Sequence, residues 1–188
     1  MQSEKADKYW VILDAALKVL AENGFHGAPT SLIAQEAGVG VGTIYRYFRD
    51  KDELIRVLFR EIQGRTYDRI FGDEQEELPL RERFILIFSR LLRFFLESPR
   101  EFKFMEQYYY SPFSTREEGG DQKKDAVKRL LTSGREQQII KDAPLPVLEA
   151  IAFGPVVALA KEHSNRNLPV DETMVRRTVE ACWDGLKR

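Results

Sequence analysis

Residues 30–54 constrain the fold more than any other stretch of the chain. They read as a short helix, a glycine turn, a second short helix and the capped start of a third. Ile33, Ala34, Ala37 and Val39 place apolar side chains on both sides of the turn. Gly38 stands where a helix stops with a left-handed residue, a conformation glycine adopts without a Cβ penalty. The second helix exposes Gly40, Gly42 and Thr43 first, then Tyr45, Arg46 and Tyr47. Small residues let a helix N-terminus approach a phosphate backbone, and tyrosine hydroxyls and an arginine supply directional donors. This is the chemistry of a helix-turn-helix laid in a DNA major groove.

Composition allows a local DNA-binding face and argues against indiscriminate DNA coating. The 188 residues carry a net charge of −1 and 43% apolar residues, enough for a packed core. From 41 to 65 there are six basic residues (Arg46, Arg49, Lys51, Arg56, Arg60, Arg65) against four acids, a small excess. Cys182 is the single cysteine, so neither an internal disulfide nor a cysteine-rich metal site can form. His26 and His163 are isolated, and no metal or cofactor is expected. No apolar run approaches the roughly 20 residues of a membrane span. The first residues lack the apolar stretch of a signal peptide, so a cytoplasmic protein is expected.

Helical periodicity dominates the chain, with no convincing strand signal. A first helix is predicted over residues 3–23, its core stripe running through Trp10, Leu13, Ala16 or Leu17, and Leu20. Thr30 is expected to cap the second helix. Asp50 and Glu53 form a capping box that opens a long helix toward Ile70. A polar, acidic loop is expected at 72–77. Pro79 opens an apolar helix, and Ser98-Pro99-Arg100-Glu101 reads as a second capping box before an aromatic helix that Ser111-Pro112 breaks. A loop is expected at 114–120, then helices over 121–138, from Pro144/Pro146 to about His163, and from Pro169 to Leu186.

The N-terminal third resembles the TetR family of bacterial transcriptional regulators. The likeness rests on Ala16, Gly24, Phe25, Thr30, Ile33, Ala34, Ala37-Gly38-Val39, Gly42-Thr43-Ile44-Tyr45, Tyr47-Phe48, Lys51 and Leu54. It covers about residues 8–58; the remainder resembles the family only in its succession of helices. Gly40 departs from the pattern, which often has Ser or Ala there. The resemblance implies an all-α protein: an N-terminal three-helix helix-turn-helix DNA-binding domain (1–50), a linking helix (51–71), and a C-terminal helical effector-binding and dimerisation domain (72–188). It implies a homodimer on a palindromic double-stranded DNA operator, with a small-molecule effector that changes the spacing of the two recognition helices.

The candidate DNA-binding residues are Thr30, Gly40, Val41, Gly42, Thr43, Tyr45, Arg46, Tyr47 and Lys51. In the family pattern Tyr45 and Tyr47 approach phosphates while Ile44 and Phe48 plug the core; alternatively one tyrosine is a core aromatic. Arg46 can pair bidentately with guanine, contact a phosphate, or stay solvated. Lys51 opposes the macrodipole at a helix N-terminus, which hints at a nearby anion unless Asp50 and Asp52 simply neutralise it.

Phe88, Leu92, Phe95, Phe102, Met105, Tyr109, Phe153 and Val157 are candidate lining of an apolar effector pocket, with Glu106 a polar anchor. The same residues can equally make a solid core. Leu148, Ile151, Pro155, Leu159, Val175, Thr178 and Cys182 on the last two helices are candidates for a four-helix dimer interface, or for packing within the monomer. Cys182 is read as buried and inert rather than as a thiol sensor.

An enzyme is disfavoured. The chain has no glycine-rich phosphate loop, no nucleophile motif and no paired-histidine spacing. The reading that competes with a ligand-released repressor is a helix-turn-helix factor controlled by a protein partner, without an effector. That factor needs a filled C-terminal core rather than a cavity.

Overall fold

The computed structural model describes residues 2–72, 77–114 and 126–188, with side chains from residue 7 onward. Most of the expected loops at 72–77 and 114–120, and residues 121–125 of the predicted 121–138 helix, lie outside the described residues. Among the described residues there are nine helices: α1 (Gln2–Gly27), α2 (Thr30–Glu36), α3 (Val41–Ile44), α4 (Lys51–Phe71), α5 (Leu80–Glu97), α6 (Pro99–Tyr109), α7 (Ala126–Glu136), α8 (Leu145–Arg166) and α9 (Glu172–Leu186). The single β-like feature there is an isolated antiparallel bridge between Ile140 and Lys187.

The chain forms two compact units, Met1–Arg65 with Arg100–Glu118, and Thr66–Pro99 with Gly119–Arg188. This division differs from the expected 1–50, 51–71 and 72–188. Most of α4 and nearly all of α6 cluster with the helix-turn-helix. The reason is aromatic. Phe104 of α6 is fully buried 5.4 Å from the Phe25 ring, and Tyr108 stacks on Phe59 of α4 at 3.7 Å with near-parallel planes. Phe113, just beyond α6, stacks on Tyr108 and lies under the Arg56 guanidinium at 5.8 Å.

In α1 the helical dihedrals break at Gly24, with φ 75° and ψ 165°, one residue past the predicted end at Asn23. Leu13, Ala16, Leu17 and Leu20 are buried, but Trp10 is 50% exposed. The stripe instead continues through Tyr9, spaced four from Leu13, whose ring stacks on Phe48 at 5.6 Å. In α4, Leu54, Leu58 and Ile62 fill the core of the first unit.

The second unit is built on α5. Its Phe84, Ile87, Phe88, Leu91, Leu92, Phe94 and Phe95 are all buried. α5 packs against α8 and α9, and α8 packs against α7 and α9. Phe84 stacks on Phe88 at 4.2 Å, Phe88 meets Phe153 at 5.1 Å, and Trp183 lies 5.5 Å from Phe84. Pro79 precedes α5 rather than lying in its first turn. α9 begins three residues after Pro169, capped by the Asp171 carboxylate, which accepts from the Met174 N–H at 2.8 Å.

Burial corrects three of the interface candidates. Leu148, Val175 and Cys182 are 0%, 2% and 1% exposed within the protomer, because their faces of α8 and α9 pack on the unit's own core. Thr178, Ile151 and Leu159 are half-buried, and Pro155 is exposed. Burial also pushes the Cys182 thiol up to about 11. At pH 8 only about one molecule in a thousand carries the thiolate, the reactive form. The native thiol is therefore expected to react with an aromatic disulfide at least about 100-fold more slowly than in the urea-unfolded chain. Comparable rates in both states would place Cys182 on an accessible face.

Candidate nucleic-acid interface

The helix-turn-helix is set by backbone hydrogen bonds that its sequence specifies. At the end of α2, Gly38 takes φ 65°, and the N–H of Val39 and Gly38 reach back to the Ala34 and Gln35 carbonyls at 3.0 and 3.2 Å. These two bonds make a Schellman stop, which requires the left-handed residue that glycine supplies. Ile33, Ala34, Ile44 and Phe48 are buried around the turn, so the i,i+4 pair Ile44/Phe48 is the core plug that the family resemblance implied.

Thr30 is not the cap of α2. Pro29 occupies that position without a side-chain bond, and its carbonyl accepts from the Leu32 and Ile33 N–H. Thr30 is the first helical residue, and its hydroxyl lies 3.5 Å from the Tyr45 hydroxyl.

α3 contains four residues, and its axis continues through tighter turns. Arg46 N–H bonds to Thr43 O at 3.1 Å and Tyr47 N–H to Ile44 O at 3.0 Å. Gly40, Val41, Gly42, Tyr45 and Arg46 are exposed, whereas Thr43 and Tyr47 are half-buried. Val41, Gly42, Tyr45 and Arg46 recur at one, four and five residues, which places them on one outward face. Tyr45 is 49% exposed and Val41 38%, so folding leaves uncovered two apolar bodies that a groove can use. Among the described residues no side chain or carbonyl holds the Arg46 guanidinium. Arg49, by contrast, is tied to the Asp50 carboxylate at 3.0 Å.

Gly40 caps α3 through its backbone carbonyl alone, which accepts from Thr43 N–H at 2.8 Å. A Cβ there would meet nothing closer than Thr43 Oγ1 at 3.9 Å. Gly40→Ser is therefore expected to gain a few tenths of a kcal/mol in urea unfolding through the added cap, with no loss of duplex binding. Weaker binding would place DNA too close for a Cβ.

Asp50 caps α4 as expected, its carboxylate accepting from the Glu53 N–H at 2.7 Å. That bond, with Arg49 beside it, holds the Asp50 carboxyl below the usual carboxylate range. Glu53 completes the box one residue early, accepting from the Arg49 N–H. Lys51 does not point to solvent. Its Nζ donates to the Phe25 carbonyl at 2.5 Å, and burial pulls its pKa below the ordinary lysine value while Asp52 acts in the opposite sense. Lys51 thus joins α4 to the end of α1.

Tyr9 was not singled out by the sequence, although the spacing from Leu13 carries it. Its ring lies against Phe48 and, at 6.4 Å, Tyr47, and its hydroxyl donates to Glu61 at 3.4 Å. Desolvation, with Glu61, raises the Tyr9 pKa.

The effector-pocket candidates divide between the two units. Phe102, Met105, Glu106 and Tyr109 belong to the first, and Phe88, Leu92, Phe95, Phe153 and Val157 to the second. Phe102 and Met105 are buried, Tyr109 is 55% exposed and Glu106 half-buried. The cause is the turning of the α6 aromatic face onto α1 and α4. In the second unit Phe88, Leu92 and Phe95 are buried, and Phe153 and Val157 half-buried. Among the described residues there is no cluster of His, Cys, Asp or Glu able to hold a metal, and no helix long and apolar enough to cross a membrane.

Residues 12–58 match the family model for bacterial regulatory proteins of the tetR family, and residues 79–187 match a tetracyclin repressor-like C-terminal domain. The chain belongs to the TetR family. Members of this family are DNA-binding regulators and not enzymes. Over 87 residues the chain is 41% identical to the fatty acid metabolism regulator protein of Bacillus subtilis (strain 168), a stretch that is 46% of this chain and 45% of that protein. The chain thus spans about half the length of the curated relatives it matches. A TetR family transcription regulator from Marinobacter aquaeolei VT8 shares the fold along 100% of both chains, with a TM-score of 0.87 at 24% identity. FadR of Bacillus subtilis in complex with stearoyl-CoA aligns at a TM-score of 0.72 and 25% identity, over 94% of this chain and 98% of that one.

Proposed function

We propose that this TetR-family protein is a ligand-controlled transcriptional repressor that binds a palindromic operator as a homodimer. The observation that carries the reading is the outward face of Val41, Gly42, Tyr45 and Arg46 on a rigidly stopped helix-turn-helix. A valine can meet a thymine methyl, and a free guanidinium can meet guanine O6 and N7. Thr30 and Tyr45, hydroxyl to hydroxyl, supply phosphate donors beside them.

The proposed dimer face is the exposed side of α8, at whose edge Ile151 meets Gly185 of α9. Val147, Gly154, Pro155 and Ala158 are exposed there, with Ile151 and Leu159 half-buried beside them. A stretch this free of charge on a helix surface suits a second copy.

The proposed effector is a long-chain acyl thioester of coenzyme A. Support comes from the likeness to a regulator crystallised with stearoyl-CoA and to a protein named for fatty acid metabolism. In the second unit Phe88, Leu92, Phe95, Phe153 and Val157 are the apolar residues proposed to receive the acyl chain.

The test is fluorescence anisotropy on a duplex selected from a random pool, titrated with stearoyl-CoA, with coenzyme A and free stearate as controls. The expected result is selective binding that stearoyl-CoA weakens about 100-fold, or roughly 2.8 kcal/mol of differential affinity. Selective binding indifferent to all three compounds would sink the acyl thioester and favour control by a protein partner. A pool that yields no selected sequence would sink the repressor reading itself.

A further inference from the structure

We infer that Gln107 is a positioning residue for operator binding: its side-chain amide reaches from α6 to cap the end of α1, and so fixes the frame on which the helix-turn-helix stands. The inference rests on the DNA-binding reading above.

The end of α1 needs outside donors. Where its dihedrals leave the helix at Gly24, the carbonyls of the last turns lose regular intrahelical partners. Three side chains donate to carbonyls on the two sides of this break. Asn23 Nδ2, from α1 itself, donates to Val19 O at 3.0 Å. Lys51 Nζ, from α4, donates to Phe25 O. Gln107 Nε2, from α6, is shared between Leu20 O at 3.3 Å and Ala21 O at 3.5 Å. Two of the three donors thus come from helices distant in sequence.

Gln107 also closes over the break. A Cβ built on Gly24 would lie 3.7 Å from Gln107 Oε1, so the amide lies directly on the backbone where α1 turns. Phe104, one turn earlier on α6, packs its ring on Phe25 immediately beyond that break. α1 packs against α2, and α2 against α3. The direction in which α1 ends therefore bears on where the face of Val41, Tyr45 and Arg46 points. An apolar residue of the same size would fill the space but leave the carbonyls unpaired.

The test compares Gln107→Met, which keeps length and loses the donor, with Gln107→Lys, which keeps a donor as Lys51 does. The readouts are affinity for the selected duplex at fixed salt, hydrogen exchange across residues 20–30, and the thermal midpoint. The Met variant should stay helical, exchange faster across residues 24–30, and bind the duplex about tenfold more weakly, with Lys recovering to within about threefold of wild type. Wild-type affinity in the Met variant would overturn the inference. So would an equal loss in both variants, since packing alone would then be at stake. If the Met variant loses its helical signal, Gln107→Glu, isosteric and without a donor, takes its place. A wild-type protein that selects no duplex fails the DNA-binding reading, and the exchange data then show separately whether the clamp on α1 exists.

Discussion

Phe104→Ala is expected to destabilise the fold by about 3–5 kcal/mol, the range for truncating a buried aromatic. Phe104 is fully buried, 5.4 Å from the Phe25 ring and 6.3 Å from Tyr108, and these rings continue to Phe59 and Phe113. The loss is set against a total stability of about 5–15 kcal/mol for a typical protein. The measurement is urea unfolding followed by circular dichroism. A second transition, with the first unit melting earlier, would be a natural consequence of truncation on one side only. A cost under about 1 kcal/mol, the size of a surface change, would show that α6 does not pack on the helix-turn-helix unit.

Arg46→Ala should have almost the opposite profile. The side chain is exposed and no described group holds it, so stability should move by less than about 0.5 kcal/mol. Binding to the selected duplex should weaken by about 1–3 kcal/mol, roughly 5- to 150-fold, and base preference should relax at one position of each half-site. Unselected DNA should be affected little. If selected and random sequences weaken together and the salt slope falls by about one, Arg46 contacts a phosphate instead.

The helix-turn-helix was legible in the sequence because its determinants are local. Gly38 marks a left-handed stop, and Ile44 and Phe48 at four-residue spacing must face the same way. None of this requires knowing what lies beyond the segment. Trp10 shows the limit of that reasoning. Tyr9 and Trp10 both continue an apolar stripe toward Leu13, and the ring of Phe48, 39 residues on, decides for Tyr9. Lys51 shows it again, since nothing in a lysine at a helix start says that a carbonyl from another helix is waiting.

The second half was less legible for the same reason. An apolar stripe says that a face is covered but not by what. Phe102 and Met105 looked like pocket lining because they sit on an aromatic helix, yet α6 joins the first unit. Leu148, Val175 and Cys182 looked like an interface because two apolar helices end the chain, yet those faces fill the protomer's own core. The residues that α8 leaves exposed include the small Gly154 and Ala158, which carry little of the apolar signal.

The border between the compact units falls inside continuous helices, between Arg65 and Thr66 of α4 and between Pro99 and Arg100 at the start of α6. No cut that falls before α6 therefore leaves the first unit whole. A truncation after residue 71 would strip Phe25 and Phe59 of their partner rings, and a chimera exchanging only residues 1–71 would graft a new bundle onto an α6 shaped for the old one. Recombination within such a family must carry two separated stretches of gene together, so the reading head and the helix that braces it have to diverge as a matched set.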